Sequence, residues 1–252
     1  MSGIYDSADI YDLIEDENRY EAYKKHWQAV IGERKIETAL DVSIGSGSVT
    51  IPLFDLGVKV YGSDLSEKML ENCKRKLVAK GFTPTLKCAD FRNLSDWGEE
   101  QFDMVATTGN SLAYVSNGDA CAAIREMDKH VKEGGLIYID IRNWDKVVAE
   151  KTRFYLYNPF FVDDSRINFV QVWDHNSDGT VTFNLLFTFE KENKIYRKEQ
   201  FEEHYIPLSK KLIIDTLSEM GYHDISVLGF PAQFPVQDIE KADWLTIIAQ
   251  KK

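Results

Sequence analysis

The chain is poor in cysteine, in net positive charge and in long apolar runs, and each shortage excludes something. Cys73, Cys88 and Cys121 are odd in number, widely spaced and without a C-x-x-C pair, so neither a disulfide framework nor a zinc site is expected, and no metal. The 30 Lys and Arg are outnumbered by 41 Asp and Glu, for a net charge of -11, and no basic stripe is present. A nucleic-acid partner is therefore not expected, because that affinity comes largely from neutralising phosphates. No apolar segment is long enough to span a bilayer, and the acidic start "MSGIYDSADIYDLIEDENRY" lacks the basic and apolar parts of a secretory signal. A cytoplasmic protein without a membrane partner is expected. Internal repeats, low-complexity tracts and Pro/Gly-rich linkers are absent as well. A single decorated domain acting on a small molecule accounts for 252 residues.

The periodicity supplies the architecture. Asn18 to Ile31 reads as an amphipathic helix, followed by strand, turn and helix in alternation, which implies a parallel sheet. Strands are predicted at Thr38 to Val42, Lys59 to Ser63, Thr85 to Ala89, Phe102 to Thr107 and Leu136 to Ile141. In "SEKMLENCKRKLVAKG", Ser66 reads as an N-cap and Gly81 as a stop; a second helix is predicted from Asp119 to Val131, ended by Gly134 and Gly135. After Trp144 the pattern becomes alternating and aromatic: "TRFYLYN", "INFVQVWDH", "TVTFNLLFTFE" and "KIYRKEQFEEHYI" read as antiparallel hairpins, with "NSDGT" as one turn. A helix in "SKKLIIDTLSEMGY" and strands "HDISVLGF" and "DWLTIIAQ" close the chain.

Chemistry concentrates at the carboxyl ends of the first strands. "TALDVSIGSGSVTIPL" places Gly45 and Gly47 where a strand must turn sharply into a helix and a ligand must approach the main chain without meeting a Cβ. Phosphates, dinucleotides and S-adenosylmethionine all use such turns, and a tight turn that binds nothing has the same composition. Thr50 stands where the dinucleotide pattern wants its third glycine, which weakens the pyrophosphate reading. Asp64 ends the second strand, where a carboxylate can accept from both ribose hydroxyls of an adenosine; it could equally face a helix dipole. Asp90 ends the third, placed to accept from an adenine amino group with Phe91 over the ring.

From Thr38 to Asp145, through "LDVSIGSGSVT", "GSDLSEKML", "CADFRNL", "FDMVATTGNSLAYV" and "VKEGGLIYIDIRNWD", the sequence resembles the class I S-adenosylmethionine-dependent methyltransferases. It departs from their glycine-rich motif at Ser43. Within that class, "TTGNSLAYV" and "IDIRNWD" resemble the glycine and sarcosine N-methyltransferases. The resemblance implies a doubly wound, seven-stranded, mostly parallel α/β sheet, Rossmann-like, with an antiparallel β insertion. It divides one domain, 1–252, into an N-terminal helical cap (1–34), a cofactor-binding core (35–145), a β insertion over the substrate site (146–207) and a closing helix and strands (208–252). It implies S-adenosylmethionine as cofactor, with Gly45 and Gly47 along its methionine part, Asp64 at the ribose, Leu65 and Met69 beside the adenine, Asp90 and Phe91 bordering the base, Asp41 and Thr108 near the turn, and Arg19 at the cofactor carboxylate. Tyr11 would close over the same region. Asn110 and Arg142 match residues that touch an amino-acid substrate.

Arg142 suits that role because a guanidinium binds a carboxylate bidentately and this one follows a strand directly. Its alternative is a surface ion pair with Asp140 or Asp145; that of Asn110 is a turn residue in "TGNS". The acceptor expected is a small molecule bearing an amine and a carboxylate, glycine or a relative, with Asn110 or a carbonyl orienting the amine. Another amine or hydroxyl acceptor, an NAD-dependent oxidoreductase and a non-catalytic cofactor-binding protein are the rivals. Related glycine enzymes are often oligomeric, so a homo-oligomer is admitted. His204 and Tyr205 fall where the β insertion returns to the sheet, a region whose aromatic residues wall the substrate pocket in the related enzymes; a half-buried strand histidine is more often structural, and neither is taken as catalytic. Glu99–Glu100 and Glu202–Glu203 read as solvated faces, and Phe154 to Phe161 as packing under a lid.

Overall fold

The computed structural model describes Ile4, Ile10 and residues 12–14, 17–232 and 238–252; Tyr11 lies outside the described residues. A helix, α1 (Glu17–Ile31), leads into strand β1 (Thr38–Asp41), and the alternation continues through β2 (Lys59–Asp64), α2 (Glu67–Ala79), β3 (Thr85–Cys88), β4 (Phe102–Thr107), α3 (Asn117–Asp128) and β5 (Val131–Arg142). Then come α4 (Trp144–Glu150), the strands β6 (Phe154–Leu156), β7 (Phe160–Val162), β8 (Ser165–His175), β9 (Val181–Lys191) and β10 (Lys194–Tyr205), and finally α5 (Lys210–Glu219), β11 (His223–Gly229) and β12 (Trp244–Gln250). Seven strands form one sheet in the order β11-β12-β5-β4-β1-β2-β3; β1 to β5 are parallel and β12 runs against both its neighbours. The α/β, mostly parallel fold is thus the expected one.

The order reverses between β1 and β4, and in open α/β sheets that switch point opens a crevice at the carboxyl ends of the strands. Ser66 caps α2 by accepting from the Met69 amide, and Gly81 follows the helix in the left-handed region, as the composition predicts. Three local expectations fail. The element after the glycine turn is a 3₁₀ helix, Ile51–Leu56, with Pro52 in its first turn. Helix α3 stops at Asp128, and Gly134 and Gly135 lie inside β5, which starts at Val131 because its first residues pair with β4. Helix α4 was hidden in the aromatic texture; Asn143 caps it by accepting from the Lys146 amide.

The second sheet, β10-β9-β8-β6 with β7 also on β8, buries one face by strict alternation. On it Phe169 stacks on Phe187 at 4.2 Å and Trp173 on Phe183 at 4.3 Å between ring centres. Such cross-strand aromatic pairs fix register as well as adding stability. This face joins the core packed on β1, β4 and β5, so the small sheet is seated over the carboxyl edge of the large one.

Candidate functional site

Two cavities meet at Gly109, one on the edge of the parallel sheet and one beneath the antiparallel sheet. The larger, about 560 Å³, is walled by the turn after β1, the ends of β2 and β4, Phe91, Tyr114 and Glu203. Gly45 has φ +53°, a conformation that costs little only without a Cβ, and its amide donates to Asp64 Oδ2 at 2.9 Å. Asp64 Oδ1 accepts from the Ser66 amide at 2.9 Å, so one carboxylate ties the first two strand ends together while facing the cavity. Burial pushes its pKa up against these two hydrogen bonds.

Ser43, the departure from the glycine-rich motif, clamps this wall to the next. Its hydroxyl donates to the Thr108 carbonyl at 3.0 Å and accepts from the Thr108 amide at 2.9 Å. Asp41 lies under the turn, fully buried, accepting from the Ser43 amide at 3.0 Å, from Thr108 Oγ1 at 2.8 Å and from Thr50 Oγ1. Burial raises its carboxyl to about 6. Thr50, which fails as a third glycine, is therefore occupied in holding Asp41.

The expected cofactor residues separate into three groups. Gly45, Asp64, Leu65, Phe91 and Thr108 line the cavity, Leu65 with 62% of its surface exposed. Asp41, Gly47 and Met69 support it from behind. At Gly47 (φ +81°) a Cβ would lie 2.8 Å from Cys73 Sγ and from Ile51, so what approaches that glycine is the protein's own packing rather than a ligand. Met69 is buried, its terminal methyl 3.5 Å from where a Cβ of Gly45 would sit. Asp90 turns away: Arg92 holds both its oxygens through Nε at 3.0 Å, keeping the carboxyl below its usual range. Arg19 is half-buried in the first turn of α1, outside the residues that line the cavity.

The second cavity, about 120 Å³, holds Asn110 and Arg142 together. Arg142 is 4% exposed and ringed by Trp244, Trp173, Tyr155 and Phe183 at 4.7 to 5.4 Å from its guanidinium carbon. Its Nε has no hydrogen-bond partner, and no described acid pairs with it. The surface ion pair is excluded: Asp145 accepts from Lys210, and Asp140 is buried, accepting from the Gly109 amide at 2.7 Å. Burial lifts the Asp140 carboxyl to about 7. Tyr138 OH lies 3.5 Å from Asp140 Oδ2 and 2.8 Å from Nε2 of the buried His26, whose pKa burial lowers to about 3.

Asn110 takes a left-handed φ of +66° and starts the 3₁₀ turn Ser111–Tyr114, so its turn composition is used too. Its Oδ1 accepts from the Arg142 amide at 3.1 Å and from Trp144 Nε1 at 2.9 Å. With the oxygen so engaged, Asn110 offers the cavity only its NH₂ group, a donor; of the two groups expected to orient an amine, Asn110 or a carbonyl, this geometry favours the carbonyl. Glu203 is a correction: it is 6% exposed, not solvated, accepting from the Ile4 amide at 2.9 Å and from Tyr114 OH at 3.1 Å. The signal was available, because alternation along "FEEHY" puts Phe201, Glu203 and Tyr205 on one face.

Residues 39–135 match the family model of a methyltransferase domain. The glycine/sarcosine/dimethylglycine N-methyltransferase of Actinopolyspora halophila is 26% identical over 91% of this chain, which spans 38% of that protein's length. The glycine/sarcosine N-methyltransferase of Parasynechococcus marenigrum is 25% identical over 99% of the chain and 84% of its own length. An S-adenosylmethionine-dependent methyltransferase structure from Clostridium acetobutylicum superposes with a TM-score of 0.76 at 20% identity, covering 98% of both chains. The chain thus carries a methyltransferase domain, and over most of its length it is similar to enzymes of methyl transfer that use S-adenosylmethionine as cofactor.

The larger cavity fits that cofactor and disfavours a dinucleotide. Among the described residues its charged groups are Asp64 and Glu203, both acids, which suit a ligand carrying a sulfonium and an ammonium and repel a pyrophosphate. A cavity of about 560 Å³ is in the usual range for a cofactor site. No helix among the described residues is long and apolar enough to cross a membrane.

Proposed function

We propose that the protein N-methylates a small amino acid, glycine or a close relative, binding the acceptor's carboxylate on Arg142. One observation carries this reading: a guanidinium is buried, without an acid partner among the described residues, in a cavity of about 120 Å³ that adjoins the larger cavity at Gly109. A buried, unpaired charge is costly, and a site that keeps one is built to receive the opposite charge with its ligand. The small volume admits an acceptor of only a few heavy atoms.

S-adenosylmethionine, when bound, supplies an electrophilic methyl whose thioether leaves without help from an acid. Gly45, Asp64, Leu65, Phe91 and Thr108 are the residues that would hold it. The rest of the task is docking a neutral amine in line, for which positioning is the main contribution of a protein. Arg142 and the NH₂ group of Asn110 fix the carboxylate end. The aromatic rings around Arg142 exclude water, and that desolvation together with the nearby positive charge lowers the pKa of an acceptor ammonium, favouring its reactive neutral form.

The test is Arg142→Leu, assayed for S-adenosylhomocysteine formation with glycine, sarcosine and a panel of other amines. KM for the amino acid should rise about 100-fold, as expected for loss of a bidentate charged contact, with cofactor affinity changed less than about twofold. Unaltered kinetics would reject the role of Arg142, and turnover confined to amines without a carboxylate would reject the substrate class.

A further inference from the structure

Two carboxyls stand directly behind the wall of the larger cavity. Asp140 on β5 is 2% exposed, and its Oδ1 accepts from the Gly109 amide at 2.7 Å. Asp41 on β1 is fully buried and accepts from Thr108 Oγ1 at 2.8 Å. Thr108 and Gly109 both line the cavity, so each acid is one hydrogen bond away from it. Their partners are all neutral. Asp41 has the Ser43 amide, Thr50 Oγ1 and Thr108 Oγ1; Asp140 has the Gly109 and Asn110 amides and, at 3.5 Å, Tyr138 OH. The other groups that face Asp140 supply no positive charge either. Tyr138 is kept protonated by burial, His26 of α1 behind it is kept neutral, and Thr246 of β12, opposite Asp140 in the ladder, brings a hydroxyl. Asp64 and Asp41 add charge of the same sign, and Arg142, two residues along β5, sits among the rings of the second cavity.

We infer that Asp140 is a concealed counter-charge for the sulfonium of the cofactor: it keeps a proton while the larger cavity holds no cation and gives that proton to solvent when S-adenosylmethionine binds. The bookkeeping is one O–H bond broken at the carboxyl and one proton taken up by the buffer. The geometry suits this exchange on both sides. Two amides direct N–H groups at Asp140, which favours the anion, yet burial and the neighbouring Asp41 hold its proton up to about 7. The balance is therefore close, and a positive charge across one layer of backbone, in a medium that screens poorly, is enough to tip it. Asp64 and Glu203 line the cavity and meet a cation directly, whereas Asp140 acts through Gly109 and touches no ligand. S-adenosylmethionine and S-adenosylhomocysteine differ by one methyl group and one positive charge. Every group they share, the α-ammonium and the carboxylate included, cancels when the two are compared, so a protein group that answers to the sulfonium is exposed by the difference between them.

Calorimetric titration of both compounds, in buffers of different ionisation enthalpy, tests this without any turnover. For wild type the ratio of S-adenosylmethionine to S-adenosylhomocysteine affinity should rise about fivefold between about pH 6 and pH 8, and near pH 7 the former should release about half a proton more than the latter. Asp140→Asn keeps an acceptor for the Gly109 amide and has no proton to lose. Its ratio should vary less than about twofold over the same range, with the extra proton release gone. A merely structural Asp140 would give the opposite pattern, both affinities falling together in the variant while the wild-type slope persists. Should Asp140→Asn fail to fold, the difference in proton release of the wild type decides alone. The inference is overturned by a wild-type ratio that does not change with pH, by equal proton release for the two compounds, or by a variant that keeps the slope; the cofactor cavity stands in each case. If wild type binds neither compound, the cofactor cavity itself fails and the role of Asp140 with it.

Discussion

The two cavities differ in every property that decides what they hold. The cofactor cavity is formed by successive strand ends of one sheet, walled by small residues and charged, among the described residues, only by acids, Asp64 and Glu203. The second cavity is formed where two sheets face each other, walled by aromatic rings and charged, among the described residues, only by a base, Arg142. Gly109 belongs to both, so opposite fields meet at one point of backbone. The comparison teaches that, on the proposed reading, a cationic cofactor and an acceptor bound by its carboxylate end are assigned to separate charges. Among the described residues, no acid in the second cavity would have to be displaced from Arg142 when a ligand enters.

Removing the lone base should break that division most visibly. Arg142 is a buried guanidinium without an acid partner among the described residues, so replacing it by an apolar residue should stabilise the fold while disabling the site. Arg142→Leu is therefore expected to melt higher than wild type, by about 2 kcal/mol of added stability, in the same preparation that shows the loss of amino-acid affinity. A lower melting temperature would mean that the charge is neutralised in the free protein and is not held ready for a ligand. Removing an acid on the other side should act on the other ligand. Asp64→Ala is expected to weaken S-adenosylhomocysteine binding about 30-fold in calorimetry, about 2 kcal/mol, with glycine affinity at saturating cofactor unchanged. An equal loss for both ligands would show that the cavities are coupled.

The same contrast explains what was legible in the sequence. The cofactor side follows local rules: a glycine turn after an apolar strand, acids at strand ends, and Ser66 as a cap all announce themselves within a few residues. Even there the sequence names types of residue and not their partners. Asp41 and Gly47 look like ligand contacts and are internal supports, because the groups they meet, Thr108 and Cys73, are remote in sequence. The second cavity is built from Ile4 and residues between 109 and 244, brought together by the small sheet, so its aromatic ring around Arg142 had no local pattern. Glu203 was misread for a different reason: two adjacent acids suggest solvent, and the alternation that turns one of them inward was outweighed by composition.

The junction itself can be probed by pH. Asp140, under Gly109, titrates at about 7 in the fold, above the ordinary carboxylate value of 3.8, because burial disfavours its charge. The folded state therefore holds this proton where the unfolded state has lost it. The stability that results is fully present below about pH 4 and disappears as pH rises through about 7. Asp41, raised to about 6, acts in the same sense. His26 opposes both: kept neutral down to about 3, it removes stability as pH falls below 6.5. Asp140→Asn, which still accepts from the Gly109 amide, should flatten the decline between pH 4 and 7 by about 4 kcal/mol in denaturant titrations, leaving the contributions of Asp41 and His26. A wild-type slope in the variant would show that Asp140 is charged throughout.

The smallest effect is expected at the acid that the sequence makes most conspicuous after Asp64. Asp90 ends the third strand where an adenine contact would fall, yet its carboxylate accepts from Arg92 Nε, from Arg92 NH2 at 2.5 Å and from the Arg92 amide at 2.8 Å. Those bonds fill the directions from which a base could approach, and the pair is partly open to solvent, where an ion pair contributes little. Asp90→Ala should therefore change S-adenosylhomocysteine affinity by less than about twofold and stability by less than about 1 kcal/mol, against the much larger loss for Asp64→Ala. A loss comparable to that of Asp64→Ala would mean that Arg92 swings away when the cofactor enters, and that the third strand end belongs to the site after all.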